Sequence, residues 1–392
     1  MSHRCRFTLL ALGLCAAAAA PANAAIPTGP KGNAFYNPPK AKIAGKHGSI
    51  IWARSINGGA LPTGRSVLVL YRSIDPISGD TVPVSGVITL PNKAPEAGGW
   101  PVVSWAHGTT GIADSCAPSR YIATRKLDAY SKVFKAESSE WTHDGWVVAQ
   151  TDYQGLGTPG MHPYLIGASE GRSQIDIVLA ARQLSKDVGK KWAAMGHSQG
   201  GHATLWAAAL GKSYAPTLQL KGAIPLAPAS HIGEQAALID SIQGNPFGGL
   251  PGLIISAALA AAKIDPATAL SDKALALYPQ IEQKCLDQLS KPDSWGGLAL
   301  NEIQRDGFDR TPLLNTISAN DPEDLTIKVP LLIAQGKADT TVFPSYTDQT
   351  VDELRGKGTK ITYKKYDGVN HTGVLKASVK DADVFLHKLL EG

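Results

Sequence analysis

Apolar and β-branched residues bunch into short runs at positions 66–73, 81–90, 101–106, 146–151, 191–196, 221–226, 329–334 and 360–366, with Pro, Gly and polar residues between them. Runs of this length bounded by turn residues predict strands. Between the later runs the period changes. Ile175, Ile177, Val178, Ala180 and Ala181 recur near helical spacing, and residues 201–210 form a helix of mainly small side chains. Val379, Ala382, Phe385, Leu386 and Leu389 recur every three or four positions and predict a closing helix over 374–390 with one face turned to a core. Eight strands, the later ones alternating with helices, predict an α/β fold with a mostly parallel sheet covered on both faces. Residues 231–328 break the alternation, with helical patches interrupted by Pro and Gly and no clear strand. That length exceeds an ordinary crossover, so 231–328 is expected to be an inserted helical cap, or lid, on a core made of 61–230 and 329–392. Residues 25–60, rich in Pro, Gly and Lys, are expected to lie over the surface as an N-terminal arm.

The first 24 residues have a different pattern. Arg4 and Arg6 precede an apolar run over 7–20, and Ala22-Asn23-Ala24 is a small-x-small site. This is the pattern of a secretory signal peptide cleaved near Ala24, with an uncleaved anchor as the alternative. It implies export, to the periplasm or the medium, with no transmembrane segment after processing. Removal of 1–24 takes Cys5 and Cys15 and leaves Cys116 and Cys285. In an oxidising compartment these two are expected to form a disulfide; two buried free thiols are the alternative, and a metal site lacks ligands. Across the 392 residues, 43% hydrophobic and 18% charged positions exclude a wholly disordered chain. The formal charge of +5 is spread without a basic run, which argues against a nucleic-acid partner.

The chemistry concentrates in three places. Gly196-His197-Ser198-Gln199-Gly200 is a G-x-S-x-G element lying between a buried-type strand and a small-residue helix. Such a sharp strand-to-helix turn lifts a serine hydroxyl to the sheet's edge, and side chains at Gly196 and Gly200 would collide across it. A serine at its free pKa needs a base, and the acid and base are expected after it in the chain, each in a loop after a strand. Asp339 follows the 329–334 run and His371 follows the last one. His231 is the best competing histidine, whereas His197 and His202 lie on the serine's own turn and helix. Asp321 and Asp324 precede their strand and are weaker rivals to Asp339. The backbone N–H groups of Gln199 and, in the loop His107-Gly108-Thr109-Thr110-Gly111, of Thr109 are the candidate oxyanion donors. His107 is expected to order that loop.

At these residues the chain resembles the secretory lipase family of α/β-hydrolases, the fungal lipase A type and its bacterial relatives. Phe35-Tyr36-Asn37-Pro38-Pro39, Tyr71-Arg72-Ser73, His107-Gly108-Thr109, Cys116-Ala117-Pro118-Ser119, Asp152-Tyr153-Gln154-Gly155-Leu156-Gly157 and the serine pentapeptide carry the resemblance, from about residue 35 to 375. The resemblance implies an α/β-hydrolase fold, a triad of Ser198, Asp339 and His371, a helical cap over the site and carboxylic ester hydrolysis. Fungal members often carry two disulfides, and this chain has cysteines for one. Asp152 is expected to hydrogen-bond backbone, with no part in catalysis.

The expected activity is that of a secreted lipase or esterase working by two-step acyl transfer, with no metal and no organic cofactor. Its partners are expected to be a small-molecule or lipid ester and, transiently, a lipid interface. Residues 245–255 lead into an Ala-rich helix and are expected to line an acyl pocket or act as a mobile flap, or else simply to pack the cap onto the sheet. Three rival readings remain open on the sequence: a polysaccharide or aryl esterase on the same triad, a serine peptidase, and a binding protein that keeps the fold without catalysis.

Overall fold

A computed structural model describes residues 25–56, 61, 63–124 and 138–392. The expected signal peptide, 1–24, and part of the expected arm, 57–60, lie outside the described residues. Nine strands form one sheet: β1 (Ile50–Ser55), β2 (Gly64–Ile74), β3 (Thr81–Pro91), β4 (Trp100–Ala106), β5 (Val147–Gln154), β6 (Val188–His197), β7 (Gln219–Leu226), β8 (Leu331–Gly336) and β9 (Ile361–Tyr366). Their order is β1-β2-β3-β5-β4-β6-β7-β8-β9. The pairs from β1 to β5 along that order are antiparallel, and those from β5 to β9 are parallel.

The sheet thus has one strand more than the eight expected. The extra one, β1, lies inside the segment expected to be an arm. Ile50, Ile51 and Trp52 are buried, but Lys and Gly on their N-terminal side masked so short an apolar core. Before β1, Phe35 and Tyr36 are buried in a cluster with Trp52, Leu68 and Leu70, and Ala53 donates to Pro27 O and accepts from Gly29 N, so 27–29 cover the outer edge of β1. An exposed edge strand is a template for aggregation, and this cover removes it.

Alternate residues of the parallel strands face opposite layers, as the two-residue period of a strand requires. Val102, Val147, Trp192 and Ala194 pack under α1 (Gly167–Leu184) and α2 (Gln199–Tyr214), represented in that core by Ile175, Ile177, Val178 and Leu205. Between β7 and β8 the chain is helical, without a strand, and includes α3 (Leu250–Ala262) and α4 (Thr311–Ser318). This segment has its own apolar cluster, with Leu253, Leu259, Trp295 and Leu313. After β8 comes α5 (Pro344–Gly356), and the chain ends in α6 (Val379–Leu390). Val103, Val148, Ala193 and Ile224 of the opposite sheet face pack with Ala382, Leu386 and Leu389 of α6. The closing helix expected as one piece is broken at Ser378, and its first turn and a half is a separate helix, Gly373–Ala377.

Candidate active site

The C-terminal ends of β6, β8 and β9 converge. Ser198 occupies the turn from β6 into α2 with φ 59° and ψ −117°, a left-handed conformation that L-residues other than glycine rarely adopt. Its two glycine neighbours are there for space. A Cβ on Gly196 would lie 2.2 Å from Gly200 O, and one on Gly200 would lie 1.9 Å from Ala106 O. The same contacts press the end of β4, and with it the His107–Gly111 loop, against the turn.

The Ser198 hydroxyl lies 2.9 Å from His371 Nε2, and His371 Nδ1 lies 2.7 Å from Asp339 Oδ2. The structure therefore brings together three residues that are far apart in the chain. Asp339 Oδ1 accepts from the backbone N–H of Thr341 and of Val342, at 2.8 and 2.9 Å, and Oδ2 also accepts from Gln335 Nε2 at 3.0 Å. Burial pushes this carboxyl up, but the His371 hydrogen bond and charge and the two backbone donors outweigh it and hold the group below the ordinary aspartate value. His197 Nε2 donates to the His371 carbonyl at 2.9 Å, and its ring lies 4.6 Å from the His371 ring. Burial first, then the neighbouring imidazole, pushes His197 down to about 3, so it stays neutral beside His371.

The competitors are elsewhere. His231 is surrounded by Glu234, Glu323 and Glu353 at 3.3–3.5 Å and stacks on Tyr346. His202 faces Glu170 and Asn320. Asp321 accepts from Ile232 N and Gly233 N, and Asp324 pairs with Lys357. Asp152 accepts from Ser119 N and Ser85 Oγ, a structural role.

Of the candidate oxyanion donors, Gln199 opens α2, so its N–H is among the helix's first four, which have no acceptor within the helix. Thr109 leaves β4 in the loop pressed against the turn, and its hydroxyl lies 2.7 Å from Tyr164 OH. His107 Nδ1 lies 2.7 Å from Gly108 O, and Tyr153 OH donates to His107 O. These contacts order the loop.

Ser198 lines a cavity of about 420 Å³ together with Tyr164, Ile232, Phe247, Ile254 and Leu313 among others. That volume falls within the range of small-molecule sites, about 300–1,000 Å³. In residues 245–255, Phe247, Leu250 and Ile254 line the cavity, while Leu253 is buried in the helical segment's own core rather than against the sheet. Cys116 and Cys285 are disulfide-bonded with Cα atoms 5.5 Å apart. The bridge, with the bond Leu286 N to Thr110 O, ties the helical segment to the loop that carries Thr109. The side chains of Asp144, Asp383 and His387 bring ligand atoms within 4.8 Å of one another. They lie at the other end of the parallel strands, where Trp146, just before β5, meets the His387 ring, and His387 is already paired with Glu391.

The secretory lipase family model matches residues 139–388. The chain belongs to the secretory lipase family. Among relatives, a secreted triacylglycerol lipase of Malassezia globosa is 29% identical over 239 residues, 57% of this chain and 50% of that protein. A Mycobacterium tuberculosis protein named "Probable inactive lipase" is 27% identical over 239 residues, 58% of this chain and 51% of its own length. The chain spans about half the length of the curated secretory lipases it matches. Two solved structures share the α/β-hydrolase fold. Candida antarctica lipase A in its closed state superposes with TM-score 0.74 at 22% identity, covering 91% of this chain and 85% of that one. The rice cell wall degrading esterase LipA of Xanthomonas oryzae superposes with TM-score 0.70 at 19% identity, covering 88% and 99%. No helix among the described residues is long and apolar enough to cross a membrane.

The residues missed on sequence are those that support the site. Gln335, Tyr164, His162 and Glu170 occupy no motif and have no telling spacing. Gln335 acts on Asp339 only four residues on, and the other three show their roles only once the stretch before and into α1 lies against Thr109 and Gln199.

Proposed function

We propose that this chain is an exported serine hydrolase of carboxylic esters with long apolar acyl groups. Ser198 Oγ attacks the ester carbonyl while His371 Nε2 takes its proton, and Asp339 holds the imidazole with its proton on Nδ1 and stabilises the imidazolium. The N–H groups of Gln199 and Thr109 receive the negative charge that develops on the carbonyl oxygen. Collapse of the tetrahedral adduct breaks the C–O bond, and His371 returns the proton to the departing alcohol. Water then attacks the acyl-enzyme with His371 again as base, releasing the acid and restoring Ser198. Residues 231–328 act as a cap whose cavity receives the acyl chain, and residues 1–24 act as the export signal.

The observation that carries this reading is the unbroken relay from Ser198 through His371 to Asp339 at the wall of a mostly apolar cavity. Each buried CH₂ of an acyl chain adds about 0.8 kcal/mol, roughly fourfold in specificity constant, until the cavity ends. A fluorophosphonate should label the wild type at Ser198 and leave Ser198→Ala unlabelled. Specificity constants for nitrophenyl esters from acetyl to palmitoyl should rise with chain length and then fall. A flat profile, or activity confined to acetylated or feruloylated polysaccharide, would replace the fatty acyl substrate with a cell-wall ester. An unlabelled wild type would remove catalysis altogether.

A further inference from the structure

Behind the serine turn lies a fully buried carboxylate that the reaction does not use. Glu170, in the first turn of α1, has no solvent exposure. Its Oε1 accepts from Leu165 N at 2.9 Å and from Gln199 Nε2 at 2.8 Å. Its Oε2 lies 2.8 Å from His202 Nδ1, and His202 Nε2 lies 2.8 Å from the Asn320 carbonyl. A carbonyl can only accept, so His202 Nε2 carries a proton. Oε1 already receives two N–H donors, so the proton shared with His202 lies between Oε2 and Nδ1. On a carboxylate, which only accepts, His202 Nδ1 carries that proton as well. The second amide hydrogen of Gln199 is directed to His162 Nε2 at 2.8 Å, which makes that nitrogen an acceptor and puts the His162 proton on Nδ1, where it meets Gln154 O at 2.8 Å. The one proton these bonds leave to be placed is that between Glu170 Oε2 and His202 Nδ1.

We propose that Glu170 and His202 form a buried carboxylate–imidazolium pair that positions Gln199, and through it the backbone N–H facing the oxyanion, while clasping the return of the 231–328 segment at Asn320. Its catalytic part rests on the ester-hydrolase reading above. The geometry on both sides supports it. Gln199 is held by two partners from the 154–170 stretch, so its backbone cannot turn without breaking both bonds. Asn320 is held by three contacts: its carbonyl receives His202 and Trp206 Nε1, and its side-chain oxygen receives Gly167 N. Leu165, whose N–H Glu170 fixes, has φ 57° and lines the cavity with Tyr164, the partner of Thr109. One pair therefore reaches both oxyanion residues and the helical segment. Other ionisable groups close to it are His162 and Tyr164 from the loop before α1, His107 from the loop after β4, and Asp321 next to Asn320. Burial opposes the charge on His202, but the Glu170 bond and charge outweigh it and raise its pKa. Burial pushes His162 down to about 4 and keeps it neutral.

The test uses the whole protein. Nitrogen-15 histidine spectra of Ser198→Ala should show His202 protonated on both nitrogens at pH 7; a neutral ring there overturns the proposal. Glu170→Ala should lower kcat for a butyryl ester by roughly 10–100-fold, with KM changed less than threefold, because an oxyanion donor acts mainly on the transition state. Glu170→Gln should recover most of that loss, since its oxygen still accepts from Gln199 and Leu165 and its amide donates to a neutral His202. The wild type should lose kcat at alkaline pH as His202 deprotonates, and Glu170→Gln should lack that limb. Wild-type kcat in Glu170→Ala that labels fully with fluorophosphonate refutes the positioning role. If Glu170→Ala does not fold, Glu170→Gln with an unchanged alkaline limb refutes it equally. An unlabelled wild type instead refutes the ester-hydrolase reading, and the histidine spectra still decide the charge of the pair.

Discussion

Asp339→Asn is the most informative single substitution, because the surrounding donors dictate how the new amide must point. The wild-type carboxylate accepts from Thr341 N and Val342 N on Oδ1 and from His371 and Gln335 on Oδ2. An amide group turned with its NH₂ toward Thr341 and Val342 would oppose two backbone donors that cannot move. Turned the other way it opposes only Gln335 Nε2, which keeps Gly336 O and Val342 O as acceptors, so the amide nitrogen ends up at His371 Nδ1. His371 must then accept there and carry its proton on Nε2, the nitrogen 2.9 Å from Ser198 Oγ. A protonated Nε2 cannot take the serine's proton. Fixing a triad histidine in the wrong tautomer lowers kcat by about 10⁴, equivalent to about 5 kcal/mol of barrier. The assay is kcat for nitrophenyl butyrate at pH 8, beside a thermal melt showing that the variant folds. Because the folded Asp339 is held below its ordinary value, its contribution to stability is present above about pH 4 and is lost as pH falls through the folded pKa. The wild type should melt above the variant at pH 7, and the gap should close in acid. A folded Asp339→Asn that keeps kcat within tenfold of wild type would show that Asp339 does not orient His371.

Four further outcomes are expected. Gly200→Ala puts a Cβ 1.9 Å from Ala106 O, so the serine turn must shift and kcat should fall by at least ~10², measured on the same ester. Cys285→Ser opens a bridge between residues 169 apart, and loss of a native disulfide costs about 2–5 kcal/mol; the melting temperature should drop by roughly 3–6 °C, and reductant should lower the wild type but not the variant. Ile254→Trp fills part of the cavity and should lower the palmitoyl-to-butyryl ratio of specificity constants by at least ~tenfold while leaving acetyl ester turnover intact. Burial first, then the charge of Asp321, pushes the Glu323 carboxyl up to about 7. A raised carboxyl destabilises the folded state as pH climbs from about 4 toward 7, so Glu323→Gln should melt higher than wild type at pH 8 and equal to it near pH 4.

The parallel half of the sheet was legible because strands buried on both faces are nearly continuous apolar runs, and each of β4 to β8 carries one. Ser198, Asp339 and His371 were legible as candidates because Gly196 and Gly200 punctuate the first turn and the other two residues stand just after runs. β1 was not legible: Ile50-Ile51-Trp52 is too short a signal next to Lys46, Gly48 and the Pro-rich residues before them. Glu170 was invisible for another reason. In Gly167-Ala168-Ser169-Glu170 an acid reads as ordinary charge at a helix start, where the helix dipole favours it. Its burial depends on His202, Gln199 and Asn320, which arrive from later parts of the chain. The break at Ser378 lacked both Pro and Gly, so periodicity ran across it.

The order of residues around the sheet has a consequence for timing. Ser198 is reached with β6, whereas the imidazole 2.9 Å from its hydroxyl follows β9, the outermost parallel strand. Under the proposed mechanism a nascent polypeptide therefore carries an unactivated serine until β9 adds to the edge of β8. Acyl transfer, so read, waits for the strand that closes the relay.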